Sequence, residues 1–409
     1  MSLFVNESEM HQWLRKELED CSGLADLITN TEYIDDYKPS SLEEHRVLDS
    51  FNTCLSALYI TDVISDNENI SLHNTGSLKP DFLLYSAESE GIVVVELKNL
   101  SGPTRQAGTE LGAYSCEIRT YLPFLSDGDL FSVVISTSWP TLLRHYIFHE
   151  IFWQNKNIIC LQPVKLNDSI KLEIKKIPEL LEADTATRIS DKHITGYQLC
   201  LYDYGLYKEN PDKNRLDKYI PQMKAALSIM STEGNRQNGH GFAFLWRDLW
   251  ERSLAPYSIS IFNFGPFQSI ERFFHNSESL VDITEMQKRF INLIQEQDPS
   301  GHGNSLSKIT SSGERFLKNI CEPRPEGFTN WLALKEIMLS RAQLLGFQGW
   351  GLFGHLFNER LIEEYSSGNI NVSNTDPGIG LQVVNDLVDP DYEFIDLSHI
   401  EIDWDSTKD

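Results

Sequence analysis

The sequence predicts an α/β (α+β) fold: a mixed sheet flanked by helices, followed by a further α/β segment and a mostly helical C-terminal region. Three observations predict it. The first 165 residues alternate helix-period and strand-period segments, the pattern of a sheet covered by helices. One run, GIVVVELK at 91–98, is apolar on both alternating faces, as a strand buried from two sides must be. Finally, 409 residues with 41% hydrophobic and 11% aromatic content can bury a large core, and that length suggests roughly 2–3 units.

The elements follow in order. Residues 8–28 carry Met10, Trp13, Leu14, Leu18, Leu24, Leu27 and Ile28 at helical spacing. A second helix begins at SSLEEH, where Ser41 and Glu44 have capping-box spacing, and runs to Leu58 with Val47, Leu48, Phe51 and Leu55 on one face. Three short strands are expected at ENISLHN (68–74), DFLLYS (81–86) and GIVVVELK, the last two joined by the turn AESEG. Pro103 suits the first turn of a helix reaching about Leu122. Strand, helix and strand are then expected at 131–137, 141–152 and 157–164. Together these define a first domain over 1–165.

Residues 166–275 read as a second α/β segment that follows a hairpin ending in KLNDSIKLEIKKI, with strands at 195–205, 241–246 and 257–265 and a helix at 216–231, and its sheet either extends the first domain or forms a second. Residues 276–368 read as helical, including one long run from Trp331 to about Tyr365. Residues 369–409 read as an acidic tail, by default flexible and solvating, although its alternating apolar residues also permit an edge strand or a docking segment.

Charge narrows the function. The net charge is −25, and it is uneven: residues 1–160 hold 24 acids and 10 bases, 161–370 hold 26 and 24, and 371–409 hold 10 and one. Such a field repels phosphate, so broad non-specific nucleic-acid binding is disfavoured and any such partner must meet a local basic surface. Lys208, Lys213, Arg215, Lys218 and Lys224, or Lys171, Lys175 and Lys176, offer one, and solvated faces explain them equally well. The six cysteines are scattered without a CxxC pair, which argues against a zinc site or a disulfide framework. With a charged N-terminus and no long apolar run, a cytoplasmic protein without a membrane partner is expected. His240 and His302 sit in Gly/Asn-rich loops without a second ligand at metal spacing. The stretch GFQGWGLFG could stack bases or pack closely in a core.

The chemistry concentrates at 79–99. Glu96 and Lys98 share one face at the end of the buried strand, where charge is costly unless paired or metal-bound. Asp81 opens the neighbouring strand, and hairpin pairing brings its carboxylate beside Glu96. Two adjacent carboxylates repel, and a divalent cation resolves the repulsion. Mg²⁺ takes oxygen ligands and keeps waters, and water so activated near Lys98 could attack a phosphodiester. The plainer alternative is a hairpin with solvated ends and a Glu–Lys contact worth about 0–1 kcal/mol.

Pro80-Asp81, a 14-residue interval and Glu96-Leu97-Lys98 closing an apolar strand together resemble the PD-(D/E)XK nuclease superfamily, the restriction-endonuclease-like fold, over about residues 40–165. The resemblance implies that Asp81 and Glu96, with the backbone carbonyl of Leu97, hold Mg²⁺ (Mn²⁺ can substitute) and that Lys98 orients or activates the attacking water. Some branches carry a metal-binding Glu on the first core helix. Glu44 falls at the centre of its apolar stripe and equally fits the N3 position of a capping box. Others carry Gln and Tyr on the helix after the ELK strand. Here Gln106, Glu110 and Tyr114 follow at four-residue spacing, so Gln106 is the expected substrate- or water-positioning residue. Glu110 stands where the recombination-type branch has its Tyr.

The implied function is a Mg²⁺-dependent endonuclease, acting on DNA rather than RNA by the habits of that family, with restriction or antiviral (antiphage) defence as its setting by analogy. The alternatives are a non-catalytic nucleic-acid-binding or scaffold subunit on the same fold, or a nuclease subunit active only with a partner. A homo-oligomer or a partner protein subunit fits either.

Overall fold

The structure, a computed structural model, describes residues 3–72, 76–99, 105–167, 169–181, 189, 193–205, 214–250, 252–265, 284–297 and 302–388. It is a mixed α/β protein that divides into two compact units, Met1–Thr187 and Arg188–Asp409.

The first unit is built on a six-stranded mixed sheet. Its elements are α1 (Glu7–Glu19), α2 (Glu32–Asp36), α3 (Leu42–Ser56), β1 (Thr61–Asp66), β2 (Phe82–Ser86), β3 (Gly91–Lys98), α4 (Arg105–Tyr121), β4 (Leu130–Ser136), α5 (Thr141–Phe148), β5 (Asn157–Leu166), β6 (Ser169–Ile174) and α6 (Ile177–Leu180). The strands lie in chain order, β1 to β6. The β3–β4 and β4–β5 pairs are parallel and the other three antiparallel. The two parallel steps each need a crossover, which α4 and α5 supply. All eight residues of β3 are buried, the consequence of an apolar sequence on both faces.

Two local expectations are corrected, and one alternative left open by the sequence is decided. The helix expected over 8–28 ends at Glu19, because Cys21, Ser22 and Gly23 break it before a short 3₁₀ turn at Leu24–Leu27. The first strand is β1 at 61–66 rather than 68–74. Residues 68–72 are irregular, and 73–75 lie outside the described residues. The KLNDSIKLEIKKI stretch, read as the second half of a hairpin that either extends the first sheet or starts a second, returns as β6 onto β5 and completes the first sheet.

The second unit holds β7 (Ile194–Tyr202), α7 (Ile220–Arg236), β8 (Gly241–Asp248), β9 (Tyr257–Phe264), α8 (Glu285–Gln297), α9 (Gly303–Leu317), β10 (Glu322–Asn330), α10 (Trp331–Arg341), β11 (Ala342–Trp350), α11 (Leu352–Ser366) and α12 (Pro377–Leu387). Its five strands form an antiparallel sheet in the order β10-β7-β9-β8-β11. Alternation along β8 sorts its side chains onto two faces. Phe242, Phe244 and Trp246 pack with residues of α10, α11 and α12, while Ala243 and Leu245 pack with residues of α7 and α9.

Two strands therefore lie within the stretch expected to be helical. β10 carries Pro323 and Pro325, which weaken a strand signal, yet proline is tolerated on an edge strand and β10 pairs with β7 at the edge of the sheet. The run from Trp331 to Tyr365 is broken by β11, which pairs with β8. Gly351 ends β11 with φ of 57°, a conformation that favours glycine, and a Cβ there would meet the Gly239 carbonyl at 2.4 Å. Phe347, Trp350 and Phe353 of GFQGWGLFG are fully buried, so this piece is core and offers no base-stacking face. Within the expected acidic tail, α12 is a packed helix whose Ile379, Val383 and Val384 join the core. Residues 389–409 lie outside the described residues. Among the described residues, no helix is long and apolar enough to cross a membrane.

Candidate metal centre

The charged residues of 79–99 meet at the C-terminal end of β3. The β2–β3 register pairs Phe82 with Val95, so Asp81, one step before β2, stands opposite Glu96. There the ladder stops, and the Asp81 carboxylate takes over as acceptor: Leu97 donates its N–H to Asp81 Oδ2 at 2.7 Å. In an antiparallel pair a residue's N–H and C=O point to the same neighbour, so the Leu97 carbonyl lies on the Asp81 side as well. The Leu97 side chain is fully buried on the opposite face from Glu96.

Glu96 and Lys98 are 3% and 8% exposed. Lys98 Nζ donates to Glu96 Oε1 at 2.5 Å and to Glu110 Oε2 of α4 at 3.0 Å. The second Glu96 oxygen, Oε2, is buried and has no hydrogen-bond partner. Such an oxygen loses its hydration without compensation, a cost of about 1–3 kcal/mol or more for a charged group. Tyr114, two turns along α4 and 4% exposed, donates its hydroxyl to the Lys79 carbonyl at 2.9 Å and pins α4 against the segment leading into Asp81.

The helix α1 adds two groups that the sequence reading did not single out. His11 stacks on Phe82 with ring centroids 4.6 Å apart, and its Nε2 lies 3.2 Å from the Asp81 carbonyl oxygen and 2.9 Å from Asp66 Oδ1. Glu7 accepts from the Asn99 N–H at 3.4 Å and adds negative charge near Asp81. A Glu and a His four apart on an N-terminal helix were the available signal, but such a pair is too common to stand out.

The electrostatics are those of a cluster with excess negative charge. Burial lifts Asp81 from 3.8 to about 6; the Leu97 N–H holds it down, and Glu7 pushes it further up. Glu96 is raised by burial first and then by Asp81, against the opposing pull of Lys98. For Lys98, burial works to lower the value, but Glu96 and Glu110 outweigh it and the ammonium stays charged. Tyr114 is raised by burial and then by Glu96 and Glu110. Lys98 thus answers Glu96 and Glu110, while Glu7 and Asp81 add to the negative charge around them.

Of the remaining expected residues, the Gln106 side chain lies outside the described residues. Glu44 is not brought to the cluster. Its Oε2 accepts from the Ser40 N–H at 2.6 Å and the Ser40 hydroxyl at 2.9 Å, while its own N–H donates to Ser41 Oγ at 3.3 Å. Tyr37 is its other partner. The residue of this pair that turns inward is Glu43, at 1% exposure. The buried stripe of α3 runs through Val47, Phe51 and Cys54 and on to Leu58 just past its end, in line with Glu43. Leu48, which tilts the sequence-based stripe toward Glu44, is only half-buried.

The donor set fits a hard divalent cation: the carboxylates of Asp81 and Glu96, the latter with its uncompensated buried Oε2, and a backbone carbonyl, with no sulfur or imidazole required. Comparison with protein-family models, with curated proteins and with solved structures finds no significant match to the chain.

Proposed function

We propose that the first unit is a Mg²⁺-dependent nuclease of the PD-(D/E)XK type, with a restriction-endonuclease-like core, acting on DNA. The observation that carries this reading is the buried, unpartnered Oε2 of Glu96 beside Asp81, within a cluster whose Lys98 ammonium is already shared between Glu96 and Glu110. Asp81, Glu96 and the Leu97 carbonyl would hold the ion. When bound there it would supply Lewis-acid stabilisation of phosphate charge and activation of water.

This chain's own residues do the rest. Lys98, kept charged by its two carboxylates, presents a donor where negative charge grows on the phosphate. Glu110 accepts from that ammonium at 3.0 Å and holds it in place beside Glu96. Tyr114 and the Leu97 N–H fix the approach of the Asp81 segment, so the two carboxylates are positioned before substrate arrives.

The test is cleavage of plasmid and single-stranded DNA in Mg²⁺, Mn²⁺ and EDTA, with Lys98→Ala alongside. Metal-dependent cutting that falls by roughly 10²–10⁴ in the variant is expected. Metal binding without cleavage would favour a non-catalytic nucleic-acid-binding subunit, and cutting that survives Lys98→Ala would remove the site assignment.

A further inference from the structure

Along the same edge of the six-stranded sheet lies a cleft of about 700 Å³. It opens past the C-terminal end of β4. Thr137 and Trp139 from the segment after β4, Arg144 of α5, Gln162 of β5, and Lys175 and Glu179 after β6 line it. Its connection to the carboxylate cluster is through backbone. Lys98 is opposite Ser136 in the parallel β3–β4 pair. The next residue, Thr137, donates its N–H to the Lys98 carbonyl at 3.1 Å and its hydroxyl to Asn99 Oδ1 at 3.0 Å. Adjacent strands are about 4.8 Å apart, so the cleft starts one strand from Lys98. Ligands of sheets with parallel strands collect outside the carboxyl ends of those strands.

Among the described lining residues the charged ones are Arg144, Lys175 and Glu179. Lys175 pairs with Glu179, and Arg144 Nη2 donates to Thr141 Oγ1 at 3.3 Å, so both long side chains are held in place at the cleft. Trp139 adds an aromatic ring, half-buried against the core, whose indole N–H has no hydrogen-bond partner. Cations with an aromatic face are what a single nucleotide requires, a charged phosphate with a flat base. The volume lies in the range of small-ligand pockets, about 300–1,000 Å³, and does not admit a duplex.

We infer that this cleft holds one unstacked nucleotide of the strand being cut, its phosphate against Arg144 and Lys175 and its base on Trp139, so that the protein prefers single-stranded or locally unpaired DNA. This rests on the phosphodiesterase reading of the neighbouring cluster. Every base has a stacking face, so little base preference follows.

The test is anisotropy titration of the full chain in EDTA with a labelled oligothymidylate and a blunt duplex of the same length, over a salt series. The single strand should bind more tightly than the duplex. Trp139→Ala should weaken it roughly 10- to 100-fold and Trp139→Phe should retain most of the affinity. Arg144→Gln should flatten the log–log salt dependence by about 0.7. Urea midpoints of all variants separate lost binding from lost folding, and Arg144→Gln reports on the cleft even if Trp139→Ala does not fold. Duplex bound as tightly as single strand, cleft variants that match the wild type, or no binding at all would overturn the inference. Binding is read in EDTA and cleavage in Mg²⁺, so the two claims fail separately. Cleft-dependent binding by a protein that cleaves nothing would remove the nuclease reading and leave the cleft. Cleavage with cleft variants unchanged would do the reverse.

Discussion

Asp81→Asn in the absence of metal should make the protein more stable at high pH, the opposite of what loss of a hydrogen-bonded carboxylate usually does. The folded state raises Asp81 from 3.8 to about 6, chiefly through burial. A group that binds its proton more tightly when folded contributes stability that is complete below its unfolded pKa and is lost as pH rises through the folded one. The interval from 3.8 to about 6 corresponds to about 3 kcal/mol, all of it lost by pH 8. Because Asp81 retains some solvent contact, roughly 1–3 kcal/mol is the working range. The amide cannot ionise and still offers an oxygen to the Leu97 N–H. Glu96 shifts in the same direction, so the informative quantity is the difference between variant and wild type. Urea denaturation in EDTA at 25 °C, followed by far-UV circular dichroism from pH 4 to pH 8, measures it. The variant's advantage should be near zero at pH 4 and grow through pH 6 to its plateau. A difference that stays flat across this range, or a wild type that is the more stable at pH 8, would refute the burial argument. Adding Mg²⁺ at about 100 times its Kd should return about 2.7 kcal/mol to the wild type and much less to the variant.

Glu96→Gln should abolish Mg²⁺-dependent thermal stabilisation, read by differential scanning fluorimetry, while leaving the metal-free protein folded, because Lys98 keeps Glu110 at 3.0 Å. Equal metal-induced shifts in variant and wild type would rule out Glu96 as a ligand. Glu44→Gln should leave cleavage unchanged and cost about 0.3–1 kcal/mol, because Glu44 serves the start of α3 and the amide keeps the accepting oxygen but not the charge. Loss of activity at unchanged stability would contradict that assignment. Gly380→Ala should destabilise the second unit by about 1–3 kcal/mol, because its Cβ would lie 2.1 Å from Phe347 Cγ in a filled core. A neutral urea midpoint would show that α12 packs less closely on Phe347.

How much of the site was legible depended on whether the signal was local. Asp81, Glu96 and Lys98 could be found because strand alternation and a short hairpin decide their neighbours within twenty residues of chain. Glu110 was placed on α4 by periodicity, but its bond to Lys98 depends on how α4 crosses β3, which no local pattern states. Glu44 shows the limit of a helical wheel: at the first turn a carboxylate can fold back to serve Ser40 instead of following the stripe. Glu7 and His11 reach the cluster from seventy or more residues away, through the packing of α1.

By itself the sequence determined what alternation and apolarity dictate: the hairpin of β2 and β3, the burial of β3 on both faces, the charged residues at its end, and the β8 and β9 strands. Only the tertiary structure decided the rest. It made β10 and β11 strands because open edges of the β7-β9-β8 sheet were there to pair with them, despite prolines in one and glycines in the other. It turned part of an acidic tail into α12 because the face carrying Phe347 needed covering. It also set the cleft at the end of β4 beside Lys98, since residues as distant as Trp139 and Lys175 become neighbours only when β5 and β6 close the sheet. The physical reason is one of range: dihedral preference and periodicity act over a few residues, whereas partner choice for a strand edge or an apolar face is settled by whatever surface the rest of the chain leaves unpaired.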